Sequence, residues 1–239
     1  MTSQQQLTVL PDPEALAGHV ADWILERMLT AASRVSVCLS GGSTPLRLYQ
    51  MLAQAPYRDR MPWARIHWFW GDERFVPPTD SRSNYRMFRE ALLDRVKAPP
   101  GNVHPVPTDG LALDAAVIAY ERELKQFYGM EQLSAARPLF DVTLLGLGVD
   151  GHTASLLPGT RVLEESARWV GAVVGVTPEA RVTLTYPALE SSRDVVFLVT
   201  GTAKREILAR VRAGAPDLPA ACLRPVGRLH WFADRAATA

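Results

Sequence analysis

The sequence predicts an α/β fold: a doubly wound, mostly parallel sheet with helices on both faces. Three observations predict it. Roughly six to eight apolar runs of strand length alternate with helical patterns, which is the order of βαβ units. Two of those runs pass through a glycine turn into a helix start, at Ser40–Pro45 and at Thr200–Lys204. A third, Phe140–Gly159 (FDVTLLGLGVDGHTASLLPG), delivers His152 directly after a glycine-rich turn, with Asp150 two residues before it. Open α/β sheets bind ligands at the carboxyl ends of their strands, so these junctions are where chemistry is sought.

Taken in order, residues 7–10 read as a short strand. Asp12, Pro13 and Glu14 read as N-cap, first helical position and acidic first turn. The helix they open reaches about Ser33 and carries Leu16, Val20, Trp23, Ile24, Arg27 and Met28 at helical spacing. Val35–Leu39 is a buried strand that ends in Ser40-Gly41-Gly42-Ser43-Thr44-Pro45. Thr44 is the expected N-cap and Pro45 the start of a helix over 46–53. Such a junction aims free backbone N–H groups and a positive dipole end at one spot. Glycines let a phosphate approach the backbone, and Ser40, Ser43 and Thr44 add hydroxyls. The plain alternative is a well-capped turn. A Walker A ending is absent.

Ile66–Trp70 is an aromatic strand ending in Gly71-Asp72-Glu73-Arg74. Three charges at a strand end usually make a solvated turn, but apolar Phe75-Val76-Pro77-Pro78 follows at once. Ser83 or Asn84 caps a helix over 85–96. Residues 103–106 form a short strand, 109–130 a helix, and 141–145 the organising strand. Beyond Gly159, residues 169–176, 181–185 and 194–199 read as strands and 186–191 as a short helix. Arg181 is either an anion ligand or an edge charge. A helix over 200–211 carries Lys204 in its first turn, where a cation opposes the dipole unless an anion sits there. Residues 218–222 and 229–232 read as closing strands.

The bulk properties narrow the classes. The 239 residues are 47% hydrophobic, enough for a sizeable core, and no linker or repeat divides them, so the chain reads as a single domain over 1–239. Net charge is +1, which gives no support to a global nucleic-acid footprint. No run approaches a membrane span and the first residues lack a secretory pattern, so neither membrane nor export is expected. Cys38 and Cys222 read as core thiols in a reducing cytoplasm. The five histidines show no metal-ligand spacing. Gly146, Gly148 and Gly151 do spell G-x-G-x-x-G, but Asp150, His152 and Thr153 crowd the loop and Pro158-Gly159 stops any helix early, so dinucleotide binding is disfavoured.

Taken together, SGGSTP at 40–45, GDER at 71–74, SRSN at 81–84, GLGVDGHTASLLPG at 146–159, RVTLT at 181–185 and GTAK at 201–204 resemble the glucosamine-6-phosphate isomerase/6-phosphogluconolactonase family, on its lactonase side. The resemblance spans about residues 12–235 in order. It implies a three-layer αβα, Rossmann-like sheet and metal-independent hydrolysis of 6-phospho-D-glucono-1,5-lactone, a sugar-phosphate lactone, with no cofactor. Oligomeric state is left as monomer or small homo-oligomer. The isomerase/deaminase branch reads G-H-I-A-F-N-E-P in the His152 loop and uses the Glu to support ring opening. Leu157 stands there in this chain, where lactonases more often have Phe.

The expected roles follow. His152 removes a proton from the attacking water and returns it to the ring oxygen, with Asp150 orienting it. Arg74 stabilises the oxyanion. Asp72 and Asn84 hold sugar hydroxyls or the water. Ser40, Gly41, Gly42, Ser43 and Thr44 cradle the phosphate, with Lys204 and Arg181 supplying charge. A non-catalytic sugar-phosphate sensor is the alternative of a different class. Sensors of that kind carry a helix-turn-helix ahead of the effector domain, and here only one amphipathic helix precedes the first confident strand.

Overall fold

The computed structural model describes residues 5–239. In chain order they form β1 (Gln5–Leu10), α1 (Pro13–Thr30), β2 (Val35–Leu39), α2 (Ser43–Leu52), α3 (Tyr57–Arg60), β3 (Ile66–Trp70), β4 (Asp72–Arg74), α4 (Asn84–Ala91), β5 (Val103–His104) and α5 (Leu113–Tyr128). They continue with β6 (Phe140–Gly146), β7 (Val170–Val173), β8 (Arg181–Leu184), α6 (Tyr186–Glu190), β9 (Ser192–Val199), α7 (Arg205–Arg212), α8 (Pro219–Cys222), β10 (Arg228–Asp234) and α9 (Arg235–Thr238).

Seven strands make one sheet in the order β1-β10-β9-β6-β2-β3-β5, and every neighbouring pair is parallel. From β2 the chain moves outward through β3 to β5. From β6 it moves the other way through β9 to β10. The switch therefore lies between β2 and β6, and the crevice it opens is flanked by the turns after Leu39 and Gly146. Both strands are buried almost throughout, which explains their largely apolar composition.

Local chemistry sets the helix starts. The Asp12 carboxylate accepts from Ala15 N–H at 2.8 Å and Pro13 opens α1. Ser83 caps α4, accepting from Arg86 N–H at 3.1 Å. Leu16, Val20, Ile24 and Met28 of α1 are buried as their spacing requires. Trp70 is also buried, meeting Tyr85 and Phe88 edge-on.

Four expectations need correction. Residues 218–222 are no strand: Pro219 sits in the first turn of the one-turn helix α8. Cys222 is only half-buried beside that turn, so Cys38 alone is a core thiol. Thr44 does not cap α2, which begins at Ser43, two residues earlier than expected, with Gly42 as its N-cap and no side-chain cap. The GDER charges are not a solvated turn either. Asp72–Arg74 form β4, the edge of a second, antiparallel sheet ordered β4-β8-β7, with Asp72 and Glu73 buried. Several boundaries also shorten, as for α4, which ends at Ala91 before a 3₁₀ turn over Leu93–Arg95.

Candidate active site

A cleft of about 350 Å³ opens at the carboxyl ends of β2, β3, β6 and β9. Eleven of the twelve residues singled out in the sequence line it: Ser40, Gly41, Gly42, Ser43, Thr44, Asp72, Arg74, Asn84, His152, Arg181 and Lys204. The twelfth, Asp150, stands behind His152. His152 Nδ1 and Asp150 Oδ1 are 2.5 Å apart, and the same carboxylate oxygen accepts from the His152 backbone N–H at 3.2 Å. Burial alone would raise the Asp150 carboxyl, but the His152 backbone N–H and ring outweigh it, so its ionisation shifts to lower pH. An ionised carboxylate only accepts, so in the neutral imidazole Nδ1 carries the proton and Nε2 the lone pair. A Cβ on Gly148 would collide with His152 Nδ1, so this position admits only glycine while the pair is in place.

On the far wall, β4 and α4 meet around two buried carboxylates. Asp72 Oδ2 accepts from Ser155 Oγ–H at 2.6 Å, with Arg181 Nη1 at 3.7 Å. Asn84 Nδ2–H donates to the Asp72 carbonyl at 3.0 Å. Arg74 and Arg181 are register partners across β4 and β8, so two guanidinium groups face one wall of the cleft. Arg74 donates from Nη1 to the Arg82 carbonyl, while its Nε is buried with no partner among the described residues. The Asn84 carboxamide lies over Gly41, where a Cβ would collide with it.

The remaining wall is the start of α2. Its uncapped first turn leaves the Ser43 and Thr44 N–H groups for a ligand, and Thr44 Oγ1 instead meets Thr200 Oγ1 at 2.8 Å across the crevice. Lys204 closes a 3₁₀ turn over Thr202–Lys204 and borders the same cleft, while α7 itself starts at Arg205. Partial burial lowers the Lys204 ammonium's proton affinity, and the Asp150 charge opposes that shift. An anion beside it would restore its charge preference.

Sequence reasoning missed Ser155, Thr200 and Glu73. Ser155 follows Ala154, whose φ of 49° turns the loop back toward Asp72. Thr200 was visible as the last residue before the Gly201 turn. Among the described residues no group of three or more His, Cys, Asp or Glu side chains is arranged to hold a metal ion, and no helix is long and apolar enough to cross a membrane.

The sequence matches the family "Glucosamine-6-phosphate isomerases/6-phosphogluconolactonase" over residues 11–231. This chain belongs to that family. Family members similar to it include the 6-phosphogluconolactonase of Nostoc sp., 41% identical and covering 99% of this chain and 98% of its own length. The crystal structure of 6-phosphogluconolactonase from Thermotoga maritima is 34% identical, superposes with a TM-score of 0.83, and covers 97% of this chain and 100% of its own. A monomeric glucosamine-6-phosphate deaminase superposes at 0.81 over 97% of this chain and 98% of its own, with 19% identity, and shares the fold alone. Both activities of the family thus stand on one scaffold, and the residues of the cleft must separate them.

Proposed function

We propose that this chain hydrolyses 6-phospho-D-glucono-1,5-lactone to 6-phospho-D-gluconate, the second step of the oxidative pentose phosphate pathway, with His152 as general base. The observation that carries the reading is the Asp150–His152 pair, set in a cleft that the uncapped start of α2 also lines.

The substrate is a phosphate dianion joined to a strained ester. Its phosphate rests on the backbone N–H groups of residues 41–44 and the hydroxyls of Ser43 and Thr44, with Lys204 supplying charge. The lactone then spans the cleft toward His152. Nε2 takes a proton from water as the water oxygen bonds to C1. Negative charge passes to the C1 oxygen, where the Arg74 guanidinium lining the cleft supplies positive charge. As the tetrahedral species collapses, the C1–ring oxygen bond breaks and the imidazolium returns the proton to the ring oxygen. Arg181, opposite Arg74 and held near Asp72, adds charge to the same wall. Asp72 and Asn84 position sugar hydroxyls or the water.

The test is proton release from freshly generated lactone above its spontaneous rate, with glucosamine-6-phosphate run alongside for ammonia. The expected result is accelerated lactone opening, no ammonia, and a loss of about 10²–10⁴ in kcat in His152→Ala. A near wild-type rate in that variant removes His152 from the mechanism. Saturable sugar-phosphate binding with no turnover points to the sensor reading.

A further inference from the structure

Glu73 is the deepest charge near the cleft and takes no part in the mechanism above. It is 1% exposed and no Lys, Arg or His nitrogen lies within ion-pair distance among the described residues. Its burial pushes the carboxyl up, while the N–H groups of Tyr85, Asn84 and Arg74 work against that shift. Oε1 accepts from the backbone N–H of Arg74 at 2.8 Å and of Asn84 at 2.7 Å. Oε2 accepts from Tyr85 N–H at 2.8 Å and Ser83 Oγ–H at 3.0 Å. The carboxylate is thus an internal anion seated on the first turn of α4, where the dipole end and orphan N–H groups favour it.

The arrangement has a geometric consequence. Strand β4 carries Arg74, and the first residue of α4 is Asn84. Nine residues of loop separate them, yet both backbones are pinned to one oxygen atom. A buried carboxylate without a cation costs several kcal/mol unless fully hydrogen-bonded, and four donors meet that need here. We propose that Glu73 is a positioning residue for the reaction: it sets the spacing between Arg74 and Asn84, and so the geometry of the wall that faces the lactone. The proposal rests on the lactonase reading above.

The experiment compares wild type, Glu73→Gln and Glu73→Asp. Gln replaces one acceptor oxygen with an NH₂ that faces two donors. Asp keeps the charge but withdraws its oxygens by about one bond length. Three quantities are read for each: kcat on the phosphorylated lactone, the inhibition constant of inorganic phosphate, and Tm. The phosphate cradle belongs to the turn from β2 into α2 and makes no bond to Glu73, and the Asn84 carboxamide over Gly41 is held by its own bond to the Asp72 carbonyl. The expected result is a kcat loss of about 10- to 100-fold in both variants, the scale of a displacement near 1 Å, with the phosphate constant within twofold of wild type. Asp194→Asn, which disrupts a buried carboxylate at the opposite end of the sheet, serves as the destabilised comparison: it lowers Tm and leaves kcat alone. Unchanged kcat in a folded Glu73 variant overturns the proposal. Parallel loss of kcat and phosphate affinity also overturns it, because the role is then general folding. If Glu73→Gln does not fold, Glu73→Asp decides on the same criteria. Wild-type protein that leaves the lactone untouched overturns the lactonase reading itself, and this inference with it.

Discussion

Asp150→Asn separates charge from geometry at the centre of the site. The carboxamide is isosteric, and its oxygen still accepts from His152 Nδ1–H, so the ring orientation survives. What disappears is a negative charge beside an imidazolium that forms only when His152 takes the proton. Closest atoms of the pair are 2.5 Å apart, and the two side chains are 35% and 49% exposed. With charge centres about 4 Å apart and water sharing the site, an effective dielectric of about 40–80 puts the interaction at about 1–2 kcal/mol. The expected loss in kcat is therefore roughly 6- to 30-fold. This is far below the ~10⁴ seen where a buried carboxylate also controls the tautomer. The assay is initial-rate proton release in weak buffer with the spontaneous rate subtracted. Wild-type kcat in Asp150→Asn would mean that no charge develops on His152, which refutes general-base catalysis. A loss equal to that of His152→Ala would refute the argument in the other direction, since screened electrostatics cannot supply it.

Two further outcomes follow from other parts of the molecule. Lys204→Ala removes the free cation at the phosphate end, so KM for the phosphorylated lactone rises about 10- to 100-fold, the worth of a charged hydrogen bond, while an unphosphorylated gluconolactone is hydrolysed as before; equal effects on both substrates would move Lys204 out of the phosphate site. At the other end of the sheet, Asp194 is buried, which alone would raise it, but hydrogen bonds from His230, Arg228 and Arg27 hold it at about 2, below the ordinary 3.8. A depressed carboxyl stabilises the fold fully above its unfolded value and loses that contribution as pH falls through about 4 to 2. Asp194→Asn should thus lower stability by about 2 kcal/mol at pH 7 and by little near pH 2, read from thermal unfolding across that range; an equal loss at both ends would show that packing, not charge, is at stake.

The βα frame was legible because its strands are buried on both faces and its helices carry caps and stripes: Asp12-Pro13-Glu14 and the run Val35–Leu39 state their structure locally. The site was legible for a related reason, since turns at the carboxyl ends of adjacent parallel strands converge whatever their separation in sequence. The small antiparallel sheet was not. A three-residue strand reading Asp-Glu-Arg has no apolar alternation, and only its pairing with β8 makes it a strand. The same blindness hid Glu73, whose meaning depends on donors ten to twelve residues away. At Thr44 a good local cap signal was overridden, because the hydroxyl found Thr200 across the crevice. At 218–222 an apolar pentapeptide did not reveal its period, and Pro219 opened a helical turn instead.

The scaffold does not choose between lactone hydrolysis and amino-sugar deamination, so the choice must rest on what can move protons around the cleft. In the family's deaminase pattern the position of Leu157 is a glutamate that assists ring opening. Here Leu157 is 7% exposed, sits among the core residues, and is absent from the cleft lining. Its loop is closed by Leu157 N–H on the Ser155 carbonyl at 3.0 Å and by Thr160 Oγ1–H on the Leu157 carbonyl at 2.7 Å. Turning the side chain outward would break this turn and expose an aliphatic group, and it would still supply no proton. Of the neighbouring carboxylates, Glu73 is held by four donors on the α4 side, and Asp72 is tied through Oδ2 to Ser155 of the same loop, which suits it to positioning. In the proposed mechanism the Asp150–His152 pair is the assembly that presents a basic lone pair to the substrate. One base suffices for lactone opening, because the proton taken from water is the proton the ring oxygen needs. Deamination requires a ring-opening step, proton transfer between C1 and C2, and departure of ammonia. The single relay proposed for this cleft is matched to the shorter sequence of events.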